Sequence, residues 1–177
     1  ANNATWNCTV NVTDNASLDA YGQDTININQ LLSLDVPNTI NYGTVNATQV
    51  SHENTSRVIN YGNTGFNLSL WGYAVSANDN LSMNCTSGTN KNISIGYEKY
   101  NLTASNNSYI IADNFNNGAI YKNLTSNISV IRIFNLLQRQ NDTAHEAWND
   151  TYWRIYVPGG VAGTCTGNVV FGAVVSN

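Results

Sequence analysis

Charge is the scarcest property of this chain. Lys, Arg, Asp and Glu make up 10% of its 177 residues, against about 25% in an average soluble protein. Seven scattered basic residues and a net charge of -4 cannot form the clustered cationic surface that phosphate neutralisation requires, which excludes nucleic acid as a partner. Imidazole is almost as rare: His52 and His145 are the two in the chain. His145-Glu146 lacks the second His of H-E-x-x-H, and neither G-x-S-x-G nor a Walker loop occurs. The chain therefore reads as a non-enzyme, with both histidines on its surface. No run of about 18 apolar residues exists, so no membrane span is expected. No basic stretch followed by an apolar one opens the sequence, so residue 1 reads as a mature, processed end. Asp113 to Gly118 has the outline of a calcium loop, but Phe115 stands where an oxygen ligand is needed. It reads as a turn, and no metal is expected.

Asparagine fills much of the gap that charge leaves. Sixteen N-x-[ST] acceptors occur: Asn3, Asn7, Asn11, Asn15, Asn46, Asn54, Asn67, Asn80, Asn84, Asn92, Asn101, Asn106, Asn123, Asn127, Asn141 and Asn149. The 32 Asn and 31 Ser plus Thr of this sequence would give roughly six by chance. Many acceptors sit in strand phase, as in Asn67-Leu68-Ser69, so that acceptor and hydroxyl face solvent while the middle residue faces the core. This pattern predicts a heavily N-glycosylated, secreted protein, with covalent glycan and no other cofactor. Sugar then does the solvating that charge does elsewhere.

The first nine-residue stretch that alternates is Thr5 to Thr13, with Trp6, Cys8, Val10 and Val12 on one face and the acceptors Asn7 and Asn11 on the other. No hairpin turn is visible after it, and Asp14 to Asp24 reads as a polar linker. Thr25 to Val36 reads as a strand with a bulge near Gln30-Leu31, and Thr39 to Val45 as another. Short strands follow at Arg57–Tyr61, Phe66–Val75, Leu81–Thr86, Ile93–Tyr97, Tyr109–Ala112, Ala119–Leu124, Ile128–Leu137, Tyr152–Val157 and Cys165–Val175. Ile128–Leu137, rich in β-branched residues, is expected to be central, and Asp142 to Asn149 to be the one helix. So many short strands with Gly and Asn turns predict an all-β, single β-sandwich, Ig-like or jelly-roll-like. Its divisions are residues 1–13, 14–24 and 25–177.

Cys85 and Cys165 both lie on inferred core faces, which predicts a disulfide across the two sheets. Cys8 is left over as a buried free thiol or a bond to a neighbour. Four tryptophans (Trp6, Trp71, Trp148, Trp153) and ten tyrosines leave a sugar-binding face as a further reading.

Pro37-Asn38-Thr39-Ile40-Asn41-Tyr42-Gly43-Thr44-Val45 and Val58-Ile59-Asn60-Tyr61-Gly62-Asn63-Thr64-Gly65 resemble the opening of archaeal secreted β-sandwich surface proteins. Trp153 to Pro158, Gly163 to Gly167 and Phe171 to Val174 resemble their closing strands. Similar sandwiches form archaeal threads and bundling pili and the bacterial matrix fibre protein TasA. The resemblance implies donor-strand complementation: Trp6, Cys8, Val10 and Val12 of one subunit would enter the sheet of the next identical subunit. The expected function is that of an extracellular filament subunit, a cell-surface polymer serving adhesion, biofilm or contact with other cells. A surface-layer glycoprotein and a secreted carbohydrate-binding module are the alternatives.

Overall fold

The computed structural model describes residues 4–105, 110–140 and 146–176. Among them, thirteen strands run in order: β1 (Thr5–Thr13), β2 (Asp19–Asn27), β3 (Leu34–Asp35), β4 (Asn54–Asn60), β5 (Phe66–Tyr73), β6 (Leu81–Gly88), β7 (Asn92–Ser94), β8 (Glu98–Asn101), β9 (Lys122–Asn123), β10 (Ser129–Leu136), β11 (Ala147–Ile155), β12 (Val161–Thr166) and β13 (Asn168–Val175). A 3-10 turn (Ile95–Tyr97) and one short helix, α1 (Ala112–Asn117), interrupt them. The expected all-β class is what the chain adopts.

Two layers enclose the main core. One is the five-stranded sheet β3-β4-β11-β8-β9. The other is built from β10-β5-β13 and β12-β6-β7. In this second layer Val161 to Thr166 run along β6, and Asn168 to Val175 run along β5. Residues 161–175 thus form one long rim bordering two strands placed end to end. Only Gly167 fits at its midpoint, since a Cβ there would overlap the Ser82 carbonyl. Phe66, Leu68 and Leu70 of β5 meet Val58, Tyr100 and Trp153 from the facing sheet. Trp153 packs edge-on against Phe171 at 5.7 Å and gives its indole N–H to Thr151 Oγ1 at 2.8 Å, so its one polar atom is satisfied in the core.

Several sequence expectations are corrected. Residues 19–24 are not linker: they open β2, which pairs along the whole of β1, from Thr5 opposite Asn27 to Thr13 opposite Asp19. The turn was invisible because it contains no glycine. Asp14 Oδ1 accepts from the amides of Ala16 (2.7 Å) and Leu18 (2.9 Å), and Ser17 takes φ 61°. β10 is an edge strand and not a central one; β-branching marks a strand, not its place in the sheet. Ala147 to Asn149 belong to β11 instead of a helix, with Trp148 opposite Ile59 and Arg57 stacked on its ring at 3.6 Å. Glu146 is in no helix either, and residues 142–145 of that expected helix lie outside the described residues. The Asp113 to Gly118 turn is mostly α1, folded so that Phe115 packs with Val50 and Tyr121. Residues 39–45, expected as a strand, join no sheet.

Candidate assembly site

Cross-strand partners in an antiparallel pair share a face. One face of the β1–β2 ribbon therefore collects Trp6, Cys8, Val10 and Val12 with Ala20, Gly22, Asp24 and Ile26. The other collects Asn7, Asn11 and their neighbouring threonines with Asp19, Tyr21, Gln23, Thr25 and Asn27. Every residue of both strands is exposed. On the apolar face Val10 is 56%, Val12 58% and Ile26 60% accessible. The resemblance placed four side chains in a donor strand. The structure keeps them on one face and adds Ala20, Gly22 and Asp24, which the linker reading had hidden, and Ile26, which was expected in the strand after it. Cys8 is a free, exposed thiol, not a buried one.

A second feature answers the ribbon in shape. Residues 36–45 run beside the 161–171 rim, and two adjoining cavities of about 510 and 310 Å³ lie between them. Ile40, Tyr42, Met83 and Cys165 border both cavities, so the two form one cleft. Among the described residues β12 pairs only with β6, and β13 only with β5, so the other edge of each is a bare backbone edge. Among the described residues, no backbone–backbone hydrogen bond ties 36–45 to the body. A side chain holds it instead. Tyr42 Oη donates to Glu98 Oε1 at 2.7 Å, and Glu98, 2% accessible, borders the cleft. Burial pushes the Glu98 carboxyl up to about 7, with the Tyr42 hydrogen bond opposing. Tyr42 is itself raised well above its ordinary value, by burial and then by the Glu98 charge.

Cys85 and Cys165 are bonded, but not between layers: they stand directly opposite each other on β6 and β12 of one sheet. The bond staples the cleft's rim to the strand behind it. Of the sixteen acceptors, Asn7, Asn11, Asn15, Asn46, Asn80, Asn84, Asn92, Asn123, Asn127 and Asn149 are exposed, and Asn54 and Asn101 are half-buried. Asn3, Asn106 and Asn141 lie outside the described residues. Asn67 overturns the strand-phase expectation: it is 5% and Ser69 8% accessible. β10 is irregular beside Asn67, where Asn135 at φ 35° turns its amide onto Asn67 Oδ1 at 3.2 Å, and Ser69 lies between Val130 and Gly172 of the two neighbouring strands.

The acid–base groups elsewhere form structural networks that no motif flagged. Arg154, 1% accessible, gives Nε to Tyr121 Oη at 2.8 Å and its other nitrogens to Ser51 O and Ser105 Oγ at 3.1 and 3.0 Å. Tyr121 and Ser105 both donate onward to Glu53, at 2.5 and 2.7 Å. Lys99, opposite Arg154 on β8, donates to the carbonyls of Phe115 and Asn116 at 2.9 and 3.1 Å, and burial lowers its pKa. These groups anchor Ser105, the end of α1 and Tyr121 to the five-stranded sheet. His52 is exposed, and His145 lies outside the described residues. Among the described residues no three His, Cys, Asp or Glu are grouped to hold a metal, and no helix is long and apolar enough to cross a membrane. The tryptophans share no face: Trp153 is in the core, Trp148 lies under Arg57, and Trp71 stacks on Tyr73 at 5.4 Å.

No protein-family profile, curated protein or solved structure matches this chain.

Proposed function

We propose that this chain is a structural subunit of an extracellular, N-glycosylated filament, in which β1 is the connector to the next identical subunit. The observation that carries the reading is the β1–β2 ribbon. A chain that builds a packed core elsewhere leaves Val10, Val12 and Ile26 on an exposed apolar face, backed by a face that bears Asn7 and Asn11. Apolar area exposed in this ordered way is the mark of an interaction surface. Fully burying one such side chain is worth about 1.5–3 kcal/mol, and roughly half of that is still to be gained here. Three or four of them and a strand's worth of backbone pairing suffice to hold subunits together. A head-to-tail contact of this type does not close on itself, and so it propagates as a fibre. Glycan on the outer face keeps lateral association in check and presents sugar to other cells or surfaces.

The test is removal of residues 1–13, followed by negative-stain microscopy and circular dichroism of the remainder. The expected result is a folded β protein that forms no filaments. Filaments that persist in the truncated chain would refute the connector role.

A further inference from the structure

We propose that the sugar carried by Asn149 folds back into a notch between β10 and β11 and covers Trp148 and Ile133, so that one glycan is a packed part of the fold; the inference rests on the N-glycosylation in the reading above.

Two unpaired backbone stretches make the notch. β4 runs along β11 from Ala147 to Trp153, but β8 joins it only from Tyr152 onward. Among the described residues, Ala147 to Thr151 therefore keep one bare edge. β10, for its part, leaves its register with β5 between Ile131 and Leu136. A cavity of about 290 Å³ is lined by Ile133 and Phe134 from the one strand and by residues 148–150 from the other, with Leu102 and Tyr152. The carboxamide of Asn149 bridges the two, its Nδ2 donating to Phe134 O at 3.4 Å. The cleft described above is bordered by Asn38, Asn41 and Asn168, none of them an acceptor. This notch has an acceptor in its wall.

Attachment suits this geometry. Asn149 Nδ2 takes the anomeric carbon of a sugar from a lipid-linked glycosyl diphosphate; one of its two protons is lost and the diphosphate leaves. The N–H that remains can still donate to Phe134 O, which sets the first ring beside that carbonyl and inside the notch. Thr151, whose hydroxyl completes the acceptor motif, is fully buried and gives that hydroxyl to Ser56 O at 2.9 Å. The sugar is therefore attached before β11 pairs with β4, and the fold closes around it.

A pyranose ring has an apolar C–H face and a rim of hydroxyls, and the notch answers both. Ile133 is the most exposed large apolar side chain among the described residues, at 84%, and Trp148 is 42% accessible. The indole is held in place beforehand: Arg57 stacks on its ring at 3.6 Å and is itself bonded to Asp150 at 3.0 Å. Little freedom is lost when a sugar covers what is left of it. For the hydroxyls there are the bare amides and carbonyls of the β11 edge and the Asp150 carboxylate. β10 is also the open edge of its sheet. A sugar lying along it does what Lys or Pro does at other edges, and blocks pairing with another chain.

The test compares the full chain with its Asn149→Gln variant, each purified from a glycosylating host and from one that attaches no glycan. Peptide mass mapping reads occupancy at Asn149, and hydroxyl-radical footprinting reads solvent access at Trp148. In the glycosylated pair, Asn149→Gln should make Trp148 oxidise several-fold faster and should lower Tm by a few degrees. In the sugar-free pair the two proteins should match, since the substitution then removes only the 3.4 Å carboxamide contact. Asn127→Gln, at an exposed acceptor that does not line the notch, should leave Trp148 oxidising as in the wild type. Glycan at Asn80, Asn92 or Asn127 but none at Asn149 would overturn the inference and leave the glycosylated reading standing. Equal oxidation of Trp148 with and without the Asn149 sugar would do the same. A Tm loss of one size in both hosts would overturn it too, by assigning the effect to the side chain alone. Should the sugar-free chain not fold, the footprint of the glycosylated pair decides. A chain that carries no glycan in the glycosylating host would sink both.

Discussion

Tyr42 Oη reaches Glu98 Oε1 at 2.7 Å, so a segment with no backbone hydrogen bond to the body is pinned through a buried carboxyl. The folded-state value near 7 lies above the ordinary 4.5. Below 4.5 both folded and unfolded chains hold the proton, and the fold keeps its full stability. As pH rises from 4.5 towards 7 the unfolded chain ionises first, so this group makes stability fall, by about 3 kcal/mol once the folded form has also ionised. Glu98→Gln, which retains an acceptor for Tyr42, should remove most of that slope. Urea unfolding of both proteins at about pH 4 and about pH 8 checks it; parallel losses in the two would show that Glu98 is not the source.

Asp79 gives the opposite sign. Its carboxylate accepts the amides of Ala74, Val75, Ser76 and Leu81 in the loop between β5 and β6, where Asn78 and Asn80 take φ 65° and 59°. Those backbone hydrogen bonds, led by the one from Val75, hold the carboxyl down at about 2, from an ordinary 3.8. The stabilisation is fully present above 3.8 and is lost as pH falls through 2. Asp79→Ala should lower Tm at neutral pH, and the gap from wild type should close as the pH approaches about 2. A gap that stays constant with pH would assign the loss to packing.

Alternation made the strands legible, and with them the all-β class and the Cys85–Cys165 pair. Sequence phase says which face a side chain takes but not which strand lies beside it. The disulfide was therefore expected between layers, although β6 and β12 are neighbours. The hairpin escaped because Asp14 makes the turn by hydrogen bonding, without the glycine that advertises one. Residues 39–45 carry a strand's pattern and lie in no sheet, because alternation sets the faces of a segment and does not supply a hydrogen-bonding neighbour. Arg154, Lys99 and Glu53 gave no signal at all. They are covered only once Ser105, Phe115 and Tyr121, distant in the chain, pack over the sheet.

The staple at the rim has a calculable worth. Cys85 and Cys165 are 80 residues apart, and in the chain-entropy account closing a loop of that length contributes about 4 kcal/mol. Cys85→Ala with Cys165→Ala should lose stability of that order in denaturant titration. The β12 rim should also exchange amide hydrogens faster, because the bond ties it to β6. A loss spread evenly over the molecule, without faster exchange at 161–166, would mean that the bond does not hold the rim.

Glycan mapping tests the surface independently of assembly. Asn67 sits under the β10 bulge, its carboxamide oxygen taken by Asn135 N, and an attached sugar has no room there. Protein purified from a glycosylating host and mapped by peptide mass should carry glycan at exposed acceptors such as Asn80, Asn92 and Asn127, and none at Asn67. Glycan found on Asn67 in folded protein would show that β5 and β10 are not packed as described.

Cys8 offers a native reporter of what happens to the ribbon. The thiol is free and exposed, on the face shared by Val10 and Val12. In the monomer it should react with a maleimide at the rate of an unfolded-chain thiol, within a few-fold. In the proposed filament that face would be covered, and labelling should slow by at least tenfold. It should return to the monomer rate when the filament is dissociated and the protein stays folded. The contrast needs no substitution, so a change in folding cannot imitate it. Equal labelling in monomer and filament would mean that the face bearing Cys8 stays open in the polymer. The connector would then have to act through the edge of the ribbon, without its apolar side.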